Sequence, residues 1–362
     1  MNMKKILSVA VIAMLLLVSC ATSVSLSYQK PSNVNMSQYR NVAVASASPF
    51  KSSQRIPLFL RFDITDPTIS TYMIFSTFDY DKVNDSCAKE LTQMVNKVFS
   101  RSSYYSVLSP EKTDTYLSFY KIGKNPSELL KAEGVDALIV PKITRFYNDE
   151  FVTADTYEKD GTKYTTYYIH RSIDLGVTIS VLDTATDRII AMKEYSSTKN
   201  YVEVYDPEFP LIFRYSQSDA ISDTISDMVS QMVADFVPTS GRANVELLAN
   251  SPKNERAKEA YDAVKDGSYA YAYTLFNDIW NSEGHIPSGY NAALLIAVSG
   301  DLDGALRYLS AMQTRVSDRD VNRLYATLSS IKESNDKALA QYSPTTTVTE
   351  TTSLSPYDFL LK

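Results

Sequence analysis

Only two cysteines, two histidines, one tryptophan and ten glycines occur among the 362 residues, and each scarcity excludes something. His170 and His285 stand far apart, with no second His or Cys at metal-ligand spacing, so the sequence predicts no metal site. The glycines form no G-x-G-x-x-G, G-x-S-x-G or P-loop pattern, which removes the common nucleotide and hydrolase motifs. Past the first twenty residues no apolar run reaches the ~20 residues of a membrane-spanning helix. Positive charge is not in excess either: 36 Lys and Arg face 42 Asp and Glu, a net charge of −6. Nucleic acid, which wants a basic patch, is therefore not an expected partner. No set of side chains makes a catalytic constellation, so the expectation is a non-enzyme without a cofactor. Asp183 and Asp187 share one turn and read as turn formers rather than an acid/base pair.

What is present begins at the N-terminus. Lys4 and Lys5 precede an apolar run, Ile6 to Val18, interrupted only by Ser8. That run is too short to span a bilayer and fits the core of a signal peptide. Leu17-Val18-Ser19-Cys20 closes it and resembles the bacterial lipobox. The resemblance implies that residues 1–19 are removed and that Cys20 carries lipid, palmitate included, because only its thiol accepts the diacylglyceryl group. Two or three acyl chains anchor stably where one is marginal. Ala21 follows with no Asp beside it, which resembles outer-membrane sorting. The chain is thus expected at the outer membrane, lipid-anchored and facing the periplasm. Loss of Lys4 and Lys5 moves the charge from −6 to −8. Residues 20–38 are rich in Ser, Thr, Asn and Gln and read as a flexible tether. With Cys20 consumed, Cys87 has no disulfide partner, and its place on an apolar helix face makes it a core residue.

Residues 39–238 read as an α/β (α+β) mixed-sheet domain with two flanking helices. Asn41 to Ala45 is a short buried strand. Residues 46–82 give a long excursion broken by prolines. Val83, Cys87, Leu91, Met94, Val95 and Val98 fall on one helical face. Asn125-Pro126-Ser127-Glu128 starts a short helix that Gly134 ends. Val135 to Val140 is a buried strand expected to stop at Pro141. Phe146 to Tyr157 and Lys163 to Asp183 form a long hairpin about Asp160-Gly161. Arg188 to Tyr195 returns as a strand. Ile221, Ile225, Met228, Met232 and Phe236 stripe a second long helix.

Residues 239–252 are expected to be a linker. From 253 to 342 an internal repeat appears: Ala260, Gly267, Ala272 and Phe276 recur as Ala293, Gly300, Ala305 and Leu309, a constant offset in the sequence. The pattern resembles the tetratricopeptide repeat, without its usual Trp. It predicts an all-α helical repeat domain, with Asp320 to Gln341 as capping helix. Residues 343–362 read as a disordered Ser/Thr-rich tail.

The N-terminal half carries a second resemblance. Tyr39-Arg40-Asn41-Val42-Ala43-Val44, Glu133-Gly134-Val135-Asp136-Ala137-Leu138-Ile139, and Ile173 to Ile190 with Asp183 and Thr186 are similar to segments of curli-secretion-channel and penicillin-binding-protein-activator lipoproteins. Asp187 stands where that pattern has Gly. The combination resembles an uncharacterised group of outer-membrane lipoproteins, which implies a non-enzymatic, protein-binding or assembly scaffold whose partner is a cell-envelope protein. The alternative is a subunit of a secretion channel. It needs a lipid-facing apolar band, yet Lys163, Thr165, Tyr167, Ile169 and Arg171 share one face of the best hairpin strand with no such band. An enzyme of unrecognised type is the remaining alternative. In tetratricopeptide arrays the first helix of each pair lines the groove. That resemblance places the partner-binding residues at Asn254, Lys258, Tyr261 and Lys265 in the first repeat and Tyr290, Asn291 and Leu294 in the second.

Overall fold

The structure is a computed structural model that describes residues 22–50, 61–63, 80–205 and 217–342. The leader, Cys20, the tail from 343 and most of the excursion at 46–82 lie outside the described residues. In chain order the strands are β1 (Ser23–Lys30), β2 (Asn41–Val44), β3 (Arg61–Asp63), β4 (Ser106–Leu108), β5 (Ala137–Lys159), β6 (Thr162–Asp183), β7 (Arg188–Tyr205) and β8 (Thr239–Glu246). The helices are α1 (Tyr80–Ser100), α2 (Pro110–Ser118), α3 (Pro126–Ala132), α4 (Gln217–Phe236), α5 (Ala257–Lys265), α6 (Tyr269–Glu283), α7 (Ile286–Val298), α8 (Leu302–Gln313) and α9 (Arg319–Tyr342). They divide into two compact units. One is Ser32–Pro238 with the chain from Ala340; the other is the chain up to Pro31 with Thr239–Leu339.

The first unit is built on a mixed sheet in the order β4-β2-β5-β6-β7, with β3 also pairing β5. β2 runs parallel to β4 and β5, while β5, β6 and β7 form an antiparallel meander. Alternation in β6 sends Ile173, Leu175, Val177, Ile179 and Val181 to one face, where they meet Leu91, Val95 and Phe99 of α1 and Ile225, Met228 and Phe236 of α4. The opposite face presents Ala43, Leu138, Val140 and Leu182 to Leu117 of α2 and Leu130 of α3. Asn125 caps α3 by accepting from the Ser127 N–H at 2.9 Å. Helix α2 was not anticipated; Pro110 in its first turn supplies a preset φ and lacks the N–H that a first turn leaves unpaired.

β5 runs through Pro141 instead of stopping there. Ile139 accepts from the Ala45 N–H, so Pro141, two residues on, also turns its main chain to β2's edge. It lies past the last β2 pair, Val44 with Ile139, so no ladder bond is lost. The β5–β6 turn is as expected: Asp160 and Gly161 have φ of 53° and 74°, the left-handed pair of a two-residue hairpin. Asp183 forms its turn by accepting from the Ala185 and Thr186 N–H groups at 2.7 and 3.1 Å. Asp187 takes φ 57°, a conformation an aspartate tolerates better than most residues, which accounts for its standing in a glycine's place.

The second unit is helical but not all-α. Its two helical hairpins, α5–α6 and α7–α8, are followed by α9. Gly267 and Gly300 take φ of 75° and 96° at corresponding turns. Ala260, Ala293, Ala272, Ala305, Phe276 and Leu309 are fully buried, 0% exposed. The residues expected to be a tether and a linker form its other layer. β1 pairs antiparallel with β8 from Ser23↔Glu246 to Lys30↔Thr239, and Val24 and Leu26 join the helical core. The physical reason is the alternation Ser23-Val24-Ser25-Leu26-Ser27-Tyr28, which makes one face apolar enough to bury. Two strands alone are marginal in water; packed on helices they hold.

Candidate functional site

The candidate site lies in the helical unit, where α5, α7 and α9 meet the end of β8. β8 ends at Glu246, and the chain that follows, Leu247 and Leu248, stays bonded within the unit. Leu247 is buried, and its N–H donates to the Thr22 carbonyl at 2.9 Å. Asn291 of α7 then grips Leu248 from both sides. Its Oδ1 accepts from the Leu248 N–H at 2.9 Å, and its Nδ2 donates to the Leu248 carbonyl at 3.1 Å. Nδ2 also donates to the Tyr261 hydroxyl at 2.9 Å, which itself donates to the Leu248 carbonyl at 2.5 Å. The Tyr290 hydroxyl donates to the Glu246 carbonyl at 3.3 Å. An amide that satisfies both main-chain groups of one residue fixes an extended segment in register, much as a neighbouring strand would.

Burial sets the ionisation of this network. Tyr261 is pushed up to about 12, first by burial, against which the Asn291 hydrogen bond acts weakly in the other direction. Tyr290 is likewise pushed up to about 12, by burial and then by the charge of Asp320. Both hydroxyls therefore stay protonated donors through the physiological range. The Tyr261 ring stands edge-on to Phe276 at 5.0 Å between centroids, which locks the hydroxyl's position.

Beside the clamp opens a cleft of about 650 Å³. Tyr261, Lys265 and Tyr290 form one wall, Arg323, Leu324 and Thr327 of α9 another, and Thr22 stands at the rim. Lys265 and Arg323 are exposed, and among the described residues each is held by one ion pair, 3.4 Å to Asp262 and 3.7 Å to Asp320. Such pairs contribute ~0–1 kcal/mol, so both cations are free to turn to a ligand.

The seven residues expected to line a partner groove therefore part company. Tyr261, Lys265 and Tyr290 do line one cleft. Asn291 and Leu294 are 0% exposed and face no open groove: Asn291 is bonded to the chain's own segment at Leu248, and Leu294 belongs to the helical core. Asn254 organises the start of α5, accepting from the Arg256 N–H at 3.0 Å and donating to Glu283 at 2.6 Å. It lines a separate cleft of about 610 Å³. Lys258 is exposed and joins neither. His285, expected in a loop, is buried, with Nδ1 2.7 Å from Ser288 Oγ and Nε2 2.9 Å from the Pro252 carbonyl. Sequence reasoning missed Thr22, Arg323, Leu324 and the segment Glu246–Leu248. The alternation of Ala243, Val245 and Leu247 with Arg242, Asn244 and Glu246 was the signal for the last.

Among the described residues no three His, Cys, Asp or Glu side chains gather to hold a metal, and no helix is long and apolar enough to cross a membrane. No protein-family model and no curated protein matches the sequence. Solved structures give distant likenesses. A Neisseria meningitidis lipoprotein is 11% identical over 53% of this chain and 97% of its own, with a TM-score of 0.26. A PelC dodecamer from Paraburkholderia phytofirmans is 10% identical over 58% and 96%, TM-score 0.23. A hypothetical protein from Chlamydia trachomatis is 11% identical over 54% and 91%, TM-score 0.25. At TM-scores of 0.23–0.26 none of these likenesses assigns the chain a family or an activity.

Proposed function

We propose that this chain is a lipoprotein anchored to the outer membrane through Cys20, facing the periplasm, and that it works without catalysis as a protein-binding or assembly scaffold. The clamp of Asn291 and Tyr261 on Leu248 carries the reading: the helical unit has the chemistry to hold an extended main chain. The cleft beside it offers an incoming peptide two available cations, Lys265 and Arg323. In this reading α5–α8 are two tetratricopeptide-like repeats capped by α9, and the α/β unit is a curli-secretion-channel-like domain. The strand pairing also shortens the anchor. After cleavage before Cys20, only Ala21 and Thr22 separate the lipidated residue from β1. At ~3.3–3.6 Å per extended residue, the helical unit is then held within ~10 Å of the bilayer surface.

Two experiments test this. Cys20→Ser should abolish palmitate labelling and release the chain from the outer-membrane fraction; persistent labelling would contradict the anchor. The intact lipoprotein, solubilised in mild detergent, should retain an envelope protein on affinity beads, and Lys265→Glu with Arg323→Glu should reduce that retention about tenfold, as expected when ~1.4 kcal/mol is lost. Retention unchanged in a folded double variant would remove the cleft from the account.

A further inference from the structure

Another concavity lies on the α/β unit, between α1 and α4, and its chemistry differs from that of the clamp. It measures about 520 Å³, within the ~300–1,000 Å³ common for small-ligand sites. Met94 and Val98 of α1 and Val229 and Val233 of α4 make its walls, and Lys97 and Arg101 stand at its mouth. Spacing explains the layout. Met94 and Val98, and Val229 and Val233, are each four apart, so each pair stacks along one helix side. Lys97 and Arg101 are four apart too, and the Arg101 N–H still bonds the Lys97 carbonyl at 3.1 Å, which keeps both cations on one turn.

Two like charges so placed repel each other unless an anion is shared between them. Neither Lys97 nor Arg101 has an ion pair or side-chain hydrogen bond among the described residues. Of the four acids of α4, Asp227 pairs with Lys199 at 2.7 Å, Asp235 meets Lys193 at 3.5 Å and the Tyr195 hydroxyl at 2.9 Å, and Asp219 and Asp223 have partners of their own. In a chain of net charge −6, this is a cationic pair at the C-terminal end of α1, set against an apolar groove.

We infer that this groove binds a single-chain anionic lipid, a fatty acid, with the alkyl chain along Met94, Val98, Val229 and Val233 and the carboxylate between Lys97 and Arg101. The occupant is a lipid rather than a peptide because of what the walls lack. Apart from the two cations, which can only donate, and the hydroxyls of Ser102 and Ser226, the lining side chains are apolar, so a peptide's N–H groups would find few acceptors, which a buried main chain requires. An alkyl chain has no such need. The clamp around Leu248 shows the opposite arrangement, with amide and hydroxyl groups aimed at the main chain. The inference is independent of the anchor and the scaffold role.

The test is photocrosslinking. The full chain in phosphatidylcholine vesicles is exposed to a palmitic acid carrying a mid-chain diazirine, and the labelled residues are mapped by mass spectrometry. Labels should concentrate on Met94–Val98 and Val229–Val233. Lys97→Glu with Arg101→Glu should cut labelling there at least fivefold with the circular dichroism spectrum unchanged, while Lys121→Glu, far from the groove, should leave it intact. The matching diazirine alcohol should label at least fivefold less. Labels spread evenly over the chain, labelling indifferent to the charge reversal, or equal labelling by the alcohol would overturn the proposal. So would competition by an apolar peptide as effective as that by palmitate. Should the double variant misfold, the acid-against-alcohol ratio on the unaltered chain decides.

Discussion

Asn291 of the helical unit and Asn148 of the α/β unit are both buried asparagines, 0% and 7% exposed, and their surroundings are opposite. Every polar atom of the Asn291 side chain is used, and all its bonds serve the chain at Leu248 or the tyrosine that shares it. Neither amide atom of Asn148 finds a partner among the described residues. It sits on β5 across from Ile173, where the apolar core of the sheet gives way to the half-exposed stretch of the hairpin. An unsatisfied buried polar group costs ~1–3 kcal/mol. The helical unit thus uses a buried amide to specify where a strand lies, whereas the sheet, whose register its own ladder and turn already fix, carries one without benefit.

The largest effect that sharpens this comparison is Asn291→Ala. It leaves the Leu248 N–H without its partner and the Leu248 C=O with only the Tyr261 hydroxyl, and stability of the helical unit should fall by ~2 kcal/mol. Trp280, the single tryptophan, is buried in that unit's core, so its fluorescence in a urea titration reads this unit alone.

Tyr261→Phe is milder at neutral pH, ~1 kcal/mol for one hydrogen bond, but it changes the pH dependence. Tyr261 titrates near 12 in the folded chain and near 10 when unfolded. The unfolded state therefore gives up its proton first as pH rises. The tyrosine's contribution is complete below pH ~10 and is lost between ~10 and 12. The phenylalanine variant should show a shallower alkaline decline by the same fluorescence. An identical slope would remove Tyr261 from the network.

The smallest effect is Asn148→Val. Replacing an unpaired amide with a β-branched side chain on a strand should change the melting temperature followed by far-ultraviolet circular dichroism by no more than ~1 kcal/mol equivalent, in the stabilising direction. A loss as large as that of Asn291→Ala would break the comparison.

Local periodicity made much of this molecule legible. The 3.6-residue spacing of Leu91, Val95 and Val98 gave the buried face of α1, Asp160-Gly161 gave the hairpin turn, and the recurring Ala and Gly positions gave the paired helices. What escaped was long-range. Ser23 to Tyr28 alternates cleanly, but its serines match a tether by composition, and its partner strand lies more than two hundred residues away. Only that pairing shows that Asn291 is already engaged by the chain's own segment at Leu248. For that reason Tyr261→Ala is a structural change, unsuited as a probe of partner binding. Pro141 was misread because a proline's cost in a strand depends on whether a neighbour needs its N–H, which one strand's sequence does not reveal.

The central claim is that the helical unit grips its own main chain at Leu248. Native-state hydrogen exchange at the Leu248 amide tests it most directly. The account predicts protection comparable to that of core amides in α7, and Asn291→Ala should lower it at least a hundredfold at Leu248 and across β1 while leaving the amides of β6 unchanged. A Leu248 amide that exchanges in the unaltered chain as fast as an exposed loop amide would contradict it.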